Sequence, residues 1–319
     1  MKSFPFKKVV SIIIKTGVSI GVLLFLFRHI DPGAIAAALG SYPPATVFAA
    51  IGLYALFALW TAMKWKLLLP RCDFGIVMKI SLARYFYSLI GLGAVTGDAA
   101  RVYMLGKREK DAGGIAASVI ADRVTGLIAL IAMGILGILF STKKVSMAIP
   151  LLCSLLLGFL LISVFFLRLS GLYAFVKRNA EYFFRVIKAP GSALEETLRC
   201  LDALYAYSKQ SRLLFLSIAA GIVSQSLCIA CCCLLGNHLG MRVPFGDWCW
   251  IFCLVSMAVL LPLSISGLGI REGSFVGLLA LWGIGPAKAM ALSLSLFCLD
   301  AVLGAIGALS HIGLKTRAK

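Results

Sequence analysis

Three clusters of charged side chains interrupt long apolar segments, and they are the strongest candidates for chemistry in this sequence. The clusters are Asp98 with Arg101, Asp122 with Arg123, and Arg271 with Glu272. A charge at the centre of a membrane-spanning helix costs roughly 2.5–3.5 kcal/mol on insertion scales, so each should face a partner or a polar cavity. Arginines in such a cavity would hold an anion such as a phosphate.

Arg271 directly follows the turn at residues 264–270, where a helix is expected to begin. An anion at this position would be held by the guanidinium and by the free backbone N–H groups of the first helical turn. Glu272 is the alternative partner for Arg271. A purely structural Arg–Glu or Arg–Asp pair that joins two hairpins is therefore as compatible with the sequence as an anion site.

Glycines break two apolar stretches beside these charges. The stretch 80–97 contains Arg84, Gly91, Gly93 and Gly97, and the stretch 248–282 contains Pro262, Gly267, Gly269 and Gly273. We expect two broken hairpins, the first entering the membrane from the cytoplasm and the second from outside. Non-helical backbone at membrane depth must be buried in protein or line a wet cavity, and such pairs are typical of inverted-repeat transporters. Kinked full-length helices are the alternative.

Membrane-spanning helices must position these residues. The chain has 319 residues, 61% of them hydrophobic, and a mean hydropathy of +0.99, which is outside the range of soluble proteins. Apolar runs of about 18 residues or more predict spans near 9–27, 44–63, 114–140, 147–167, 213–235 and 289–312. We expect an all-α polytopic bundle of about six spans plus two re-entrant hairpins, compatible with an inverted repeat and forming one integral membrane domain over residues 1–319.

The net charge of +18 is mostly a topology signal. With a cytoplasmic N-terminus, 22 of the 31 Lys and Arg fall in segments on the inner side, as the positive-inside rule requires. We therefore expect a bacterial cytoplasmic (inner) membrane protein with both termini in the cytoplasm, and no nucleic-acid partner. Attraction to anionic headgroups is an expected by-product.

The longest polar stretch, residues 169–211, predicts two cytoplasmic amphipathic helices. They would either lie on anionic lipid or form a packed helical hairpin. The ten cysteines show no paired C-x-x-C spacing, and the three histidines are scattered, so we expect no metal site, no cofactor and no catalytic constellation.

Three motifs also carry a family resemblance. The segments 91–101, 117–123 and 261–272, taken in order, resemble the flippase-like transmembrane family that includes the membrane region of lysylphosphatidylglycerol synthases. The resemblance implies a helical bundle that moves or presents a lipid with a charged headgroup. It covers nearly the whole chain, and the motif positions are occupied by Asp98, Arg101, Arg123, Arg271 and Glu272. No soluble aminoacyl-transferase domain follows Lys319, so we do not expect lipid aminoacylation, and a headgroup-modifying enzyme would be a separate partner.

Our first hypothesis is a lipid transporter with a polar interior groove, in which Arg101, Arg123 and Arg271 meet the headgroup in turn. No nucleotide-binding motif is present, so we do not favour an enzyme. The expected substrate-binding residues are Arg101, Arg123, Arg271, Asp98, Asp122, Glu272, Gly91, Gly93, Gly97, Gly267 and Gly269. The alternatives are a membrane-embedded enzyme on a lipid-linked substrate, with Asp98, Asp122 or Glu272 as base, and a non-catalytic partner of a transferase. The cargo, an anionic or aminoacylated phospholipid or a polyprenyl phosphate, stays open, as does a homo-oligomer.

Overall fold

The computed structural model describes residues 17, 21–22, 24–91, 93–143, 145–187, 190–261, 264 and 266–316. Within them the regular structure is helical, without a β-strand. The helices are α1 (Pro32–Gly40), α2 (Pro44–Leu68), α3 (Phe74–Ile90), α4 (Ala94–Glu109), α5 (Ala112–Leu139), α6 (Ala148–Phe166), α7 (Ser170–Val186), α8 (Gly191–Lys209), α9 (Ser211–His238), α10 (Phe245–Leu260), α11 (Ile270–Leu279) and α12 (Pro286–Thr316). A 3-10 turn, Ala280–Trp282, joins α11 to α12.

Five helices are long and apolar enough to cross a membrane, namely α2, α5, α6, α9 and the part of α12 from Pro286 to Ser310. They confirm five of the six predicted spans. The remaining one, 9–27, lies mostly outside the described residues. In α6 only Cys153 is fully buried, and one side of the helix exposes large apolar residues such as Leu151, Leu155 and Phe159, as expected of a helix that faces lipid.

Both glycine-rich stretches are breaks between separate helices. α3 ends at Ile90 and α4 begins at Ala94, while α10 ends at Leu260 and α11 begins at Ile270. A single kinked helix through either stretch is therefore wrong. In the first stretch the cause is Gly93, whose φ of +65° lies in the left-handed region. Residues with a side chain disfavour this region, and a right-handed helix cannot continue through it.

The bundle is built from close pairs of helices. α3 packs on α12, α2 on α9, and α5 on both α10 and α8. Gly307 of α12 permits the approach to α3, since a Cβ there would lie 2.1 Å from the backbone oxygen of Leu82. Small residues at helix contacts are the usual way for membrane helices to gain packing. Cys228, Cys231 and Cys232 of α9 are buried in the hydrophobic core, where they act as small packing residues.

The two predicted amphipathic helices of the segment 169–211 are α7 and α8. The rings of Tyr173 and Tyr205 stack at 4.3 Å between centroids, and Tyr173 and Lys177 both bond to Asp202. The opposite side of α7 stays exposed and apolar, with Phe175, Val176, Tyr182, Phe183 and Val186. The helices thus form a packed hairpin, and α7 still presents an unpaired apolar face.

Candidate functional site

The two helix breaks meet inside the bundle. The hydroxyl of Ser266, in the break between α10 and α11, donates to the backbone oxygens of Ser88 (2.7 Å) and Leu89 (3.2 Å) at the end of α3. The last carbonyls of a helix have no partner within the helix. One break therefore satisfies the helix end exposed by the other, which fixes the two stretches to each other.

The glycines shape this junction. Gly93, Gly267 and Gly269 have φ values of +65°, +75° and +85°, which favour glycine. A Cβ on Gly97 would lie 2.2 Å from Ser88 Oγ and 2.8 Å from the backbone oxygen of Arg84, so only glycine lets α4 approach α3 this closely. Gly91 is similarly crowded by the side chain of Thr96. Their positions give these glycines a conformational role, and Gly93 and Gly267 also line the cavity at this junction, where a glycine can offer a ligand only its backbone groups.

A cavity of about 190 Å³ lies at the junction, lined by residues of α3, α5, α12 and both breaks. Three guanidinium groups line it, those of Arg84, Arg123 and Arg271, against a single carboxylate, that of Asp300. We call this space the first cavity. Its lining also includes Val95 and Leu261, which are exposed on the apolar outer surface of the bundle. The first cavity therefore combines a cationic interior with an apolar rim.

Arg84 is the cation of this cavity without an acidic partner. All 13 Asp and Glu residues belong to the described part of the chain, and none forms an ion pair with Arg84 within 4.0 Å. Its guanidinium lies 4.9 Å from the centre of the Tyr85 ring, a cation–π contact that leaves the positive charge in place. The sequence placed Arg84 in an apolar stretch but gave no reason to prefer it to the motif arginines.

Arg271 is paired and retains a free donor. Its guanidinium bonds to Asp300 Oδ2 (Nη1, 3.3 Å) and Glu272 Oε1 (Nε, 3.4 Å), and its side chain is 12% exposed. Its Nη2 is buried and has no hydrogen-bond partner in the described structure. The hydroxyl of Ser264, also in the lining of the first cavity, is equally buried and unpartnered within the same residues. A structural pair and a remaining hydrogen-bond donor thus coexist at Arg271.

Glu272 has a structural position. It is 0% exposed, accepts from the backbone N–H of Gly269 (2.6 Å) and from the hydroxyl of Ser293 (2.9 Å), and does not line the first cavity. A carboxylate at the third position of a helix commonly caps the helix start in this way. In this position Glu272 holds α11 on α12, and its contact with substrate stays a prediction.

Arg101 lies in a buried ion-pair network behind the first cavity. It is 1% exposed and bonds to Asp98 (3.3 Å) and to Asp122 (3.1 Å), with its guanidinium 3.9 Å from the centre of the Trp65 ring. Asp98 also pairs with Arg123. The structure therefore places Arg123 and Arg271 in the lining of the first cavity, whereas Arg101 is enclosed beside Asp98 and Asp122 and does not line it.

Lys64 of α2 completes this network. Its ammonium bonds to Asp122 Oδ1 at 2.8 Å and to the Asp122 backbone oxygen at 2.7 Å, and the residue is almost fully buried. Lys64 and Arg101 are among the 22 Lys and Arg counted on the inner side from the sequence. Their burial removes both from the loop charges, although most of the positive-inside bias is carried by other residues.

A second cavity, also about 190 Å³, adjoins the first. Both linings contain Arg84, Arg123 and Leu260, so these residues form the wall between the two spaces. Lys64 and Asp122 line the far side, together with four uncharged polar residues, Thr61, Ser224, Gln225 and Ser256.

Lys64 and Asp300 were not among the predicted site residues, and Arg84 was noted without a binding role. Each is a charged residue in a largely apolar helix, and this was the available signal. Asp300 accepts from the hydroxyl of Tyr54 (2.6 Å), which is 246 positions away in the chain. No local spacing connects such residues, so only the packing of the helices reveals that they belong to one site.

The fold and the site together define a class: a helical membrane protein with a cationic cavity between two broken helices. The model of the family described as the lysylphosphatidylglycerol synthase transmembrane region matches residues 12–307. The chain belongs to this family and is a multi-pass membrane protein, so the resemblance seen in the motifs is confirmed. A search of curated proteins found no match.

Proposed function

We propose that this protein translocates, or presents for use, a membrane lipid with a phosphate or other anionic headgroup. The observation that carries the proposal is Arg84, a guanidinium without an acidic partner in a cavity that it shares with Arg123 and Arg271. A charge without a direct partner at membrane depth is costly, and a bound anion would supply charge-assisted hydrogen bonds that the more distant carboxylates of Asp98 and Asp122 do not form.

The surroundings of the first cavity suit a lipid better than a free anion. Val95, Leu260 and Leu261 line the cavity and are also exposed on the outer surface of the bundle. A headgroup can therefore occupy the cationic interior while its acyl or prenyl chains remain in the bilayer. This arrangement needs no passage for the apolar chains through the protein.

The lengths of the broken helices support re-entrant hairpins. At 1.5 Å per residue, the 16 residues of α10 extend about 24 Å and the 10 residues of α11 about 15 Å, short of the roughly 30 Å hydrocarbon core. We propose that each pair of helices turns back within the membrane. We further propose a cytoplasmic membrane location with both termini inside, from the distribution of Lys and Arg in the loops.

The test is lipid movement in liposomes that contain the purified protein and a fluorescent anionic phospholipid. The Arg84→Gln variant should lower the protein-dependent rate about ten- to one-hundredfold, as expected from the ~1.5–3 kcal/mol of a hydrogen bond to a charged group. Arg212→Gln is the matched control, because Arg212 is exposed and distant in the fold from both cavity linings.

Equal exchange between leaflets in protein-free and protein-containing liposomes would contradict translocation. Normal exchange in a well-folded Arg84→Gln protein would remove Arg84 from the site. Arg84→Lys distinguishes charge from geometry, since lysine keeps the positive charge but loses the planar fork of donors that matches a phosphate.

A further inference from the structure

The acidic residues that line the two cavities already have hydrogen-bond partners. Asp122 and Asp300 are the carboxylates in the linings of the two cavities, and every Asp and Glu of the chain belongs to the described residues. Asp122 bonds to Lys64 through Oδ1 (2.8 Å) and to Arg101 through Oδ2 (3.1 Å). Asp300 accepts from Tyr54 at Oδ1 (2.6 Å) and from Arg271 at Oδ2 (3.3 Å). Each of these four carboxylate oxygens therefore already has a donor, cationic in three cases, and a further cation would have to share it.

An ammonium group on a headgroup would thus find no unpaired counter-ion, because the two linings hold more cationic side chains than carboxylates. It would also approach Arg84, whose charge has no acidic partner, and Arg123, which lines both spaces. Like charges brought together in a water-poor interface cost several kcal/mol, and this is a common source of specificity. The site therefore selects against lipids with an aminoacyl group.

The second cavity offers uncharged hydrogen-bonding groups instead. The hydroxyls of Thr61 and Ser224 donate to backbone oxygens of their own helices, at 2.8 Å and 2.9 Å, which leaves their oxygens free to accept. In the described structure, the side chains of Gln225 and Ser256 have no hydrogen-bond partner. These groups match a ligand that carries hydroxyls, because Gln225 and Ser256 can donate and accept while Thr61 and Ser224 can accept.

We propose that the cargo is a net-anionic phosphodiester lipid whose headgroup ends in uncharged hydroxyls, and that aminoacylated lipids are excluded. The phosphate lies in the first cavity against Arg84, Arg123 and Arg271. The hydroxylated end passes the wall formed by Arg84, Arg123 and Leu260 and bonds to Gln225 and Ser256 in the second cavity. This inference rests on the proposed function and names the substrate class of the same site.

The experiment compares three lipids in the same liposome assay: phosphatidylglycerol, its lysyl ester and phosphatidic acid. Phosphatidylglycerol should exchange between leaflets about tenfold faster than the lysyl ester or more, given the cost of like charges in the site. Gln225→Leu should slow phosphatidylglycerol severalfold and leave phosphatidic acid unchanged, because phosphatidic acid has no hydroxylated end. Gln210→Leu, in the junction of α8 and α9 and outside both linings, is the matched control.

The outcomes separate the two proposals. Exchange of the lysyl ester at the rate of phosphatidylglycerol or faster overturns the inference and leaves lipid translocation standing. An equal effect of Gln225→Leu on phosphatidylglycerol and phosphatidic acid overturns the assignment of the second cavity. If no lipid moves faster than in protein-free liposomes, the proposed function fails, and the inference fails with it.

Discussion

Single residues in this site differ in how completely their charge is compensated. Asp122 is bonded through both oxygens, to Lys64 and Arg101, and all three side chains are nearly inaccessible. Arg84 lines two cavities without an acidic partner. Removing one member of a buried ion pair leaves the other charged and unpaired, which is much more costly than losing a surface pair. Substitution of Asp122 should therefore lower mainly the stability of the protein, and substitution of Arg84 should weaken mainly ligand binding.

Asp122→Asn is predicted to destabilise the protein by about 3–5 kcal/mol, because Lys64 and Arg101 remain buried with fewer negative charges. Thermal unfolding in detergent measures the change. Adding Lys64→Gln to Asp122→Asn should recover part of the loss, since one of the two unpaired cations is removed. An unchanged Tm for Asp122→Asn would contradict the network as a source of stability.

At the scale of elements, the site depends on two helix breaks that are held together. Ser266 satisfies the end of α3, and Gly97 lets α4 pack directly against the backbone of Arg84. The position of the Arg84 side chain is consequently set by the contact between α3 and α4. A change in that contact should act on lipid movement without any change in charge.

Gly97→Ala is predicted to cost about 1–3 kcal/mol of stability and to reduce lipid exchange, because the added methyl collides with Ser88 and with the backbone of Arg84. The measurements are Tm in detergent and leaflet exchange in liposomes. Gly158→Ala in α6 is the control, since its Cβ would meet nothing within 4 Å. Equal behaviour of the two variants would show that close packing of α3 and α4 is dispensable.

The hairpin of α7 and α8 should respond to pH. Hydrogen bonds from Tyr173 and Lys177 lower the pKa of Asp202 below its ordinary value, and bonds to Tyr173 and Asp202 raise the pKa of Lys177. A carboxylate with a lowered pKa stabilises the fold above its unfolded-state pKa of about 3.9, and this stabilisation is lost as the pH falls through the folded-state value.

The Tm difference between the unchanged protein and Asp202→Asn is therefore predicted to be present near neutral pH and to shrink toward zero as the pH falls from about 5 to about 3. Thermal unfolding at several pH values follows it. Glu195→Gln, at an exposed position of α8, is the control and should show no such trend. A difference that grows on acidification would contradict the pairing of Asp202.

At the scale of the whole molecule, the orientation of the protein in the membrane decides whether each pair of helices joined by a break opens to the cytoplasm or to the outside. The polar hairpin of α7 and α8 carries many of the loop cations, whereas the loop between α5 and α6 carries only Lys143 and Lys144. Because basic loops stay in the cytoplasm, the hairpin should be inside and the short loop outside.

Lys143→Cys is predicted to react with a membrane-impermeant thiol reagent in intact cells, and Glu181→Cys only after the membrane is permeabilised. The unchanged protein sets the background from its ten native cysteines. The reverse pattern would invert the proposed orientation. Lipid exchange in liposomes would be unaffected by that result, since it does not depend on the direction of insertion.

The sequence by itself determined the class of fold, the positions of the spans within the described residues and the two helix breaks. Long apolar runs must leave water, and the glycines of both stretches permit backbone angles that a helix cannot adopt. These are local properties, and each can be read from a short segment. The family followed from three motifs in order, and the match over residues 12–307 bears it out.

Only the tertiary structure decided which charges are paired and which line a cavity. Arg101 and Arg123 have similar surroundings in sequence, yet one is enclosed by Asp98 and Asp122 and the other lines both cavities. An ion pair depends on the distance between side chains of different helices, such as Lys64 and Asp122, which lie 58 positions apart. Hydrophobic periodicity specifies that a helix forms and not its rotation against a neighbour, so Arg84 became a candidate only when the helices were packed.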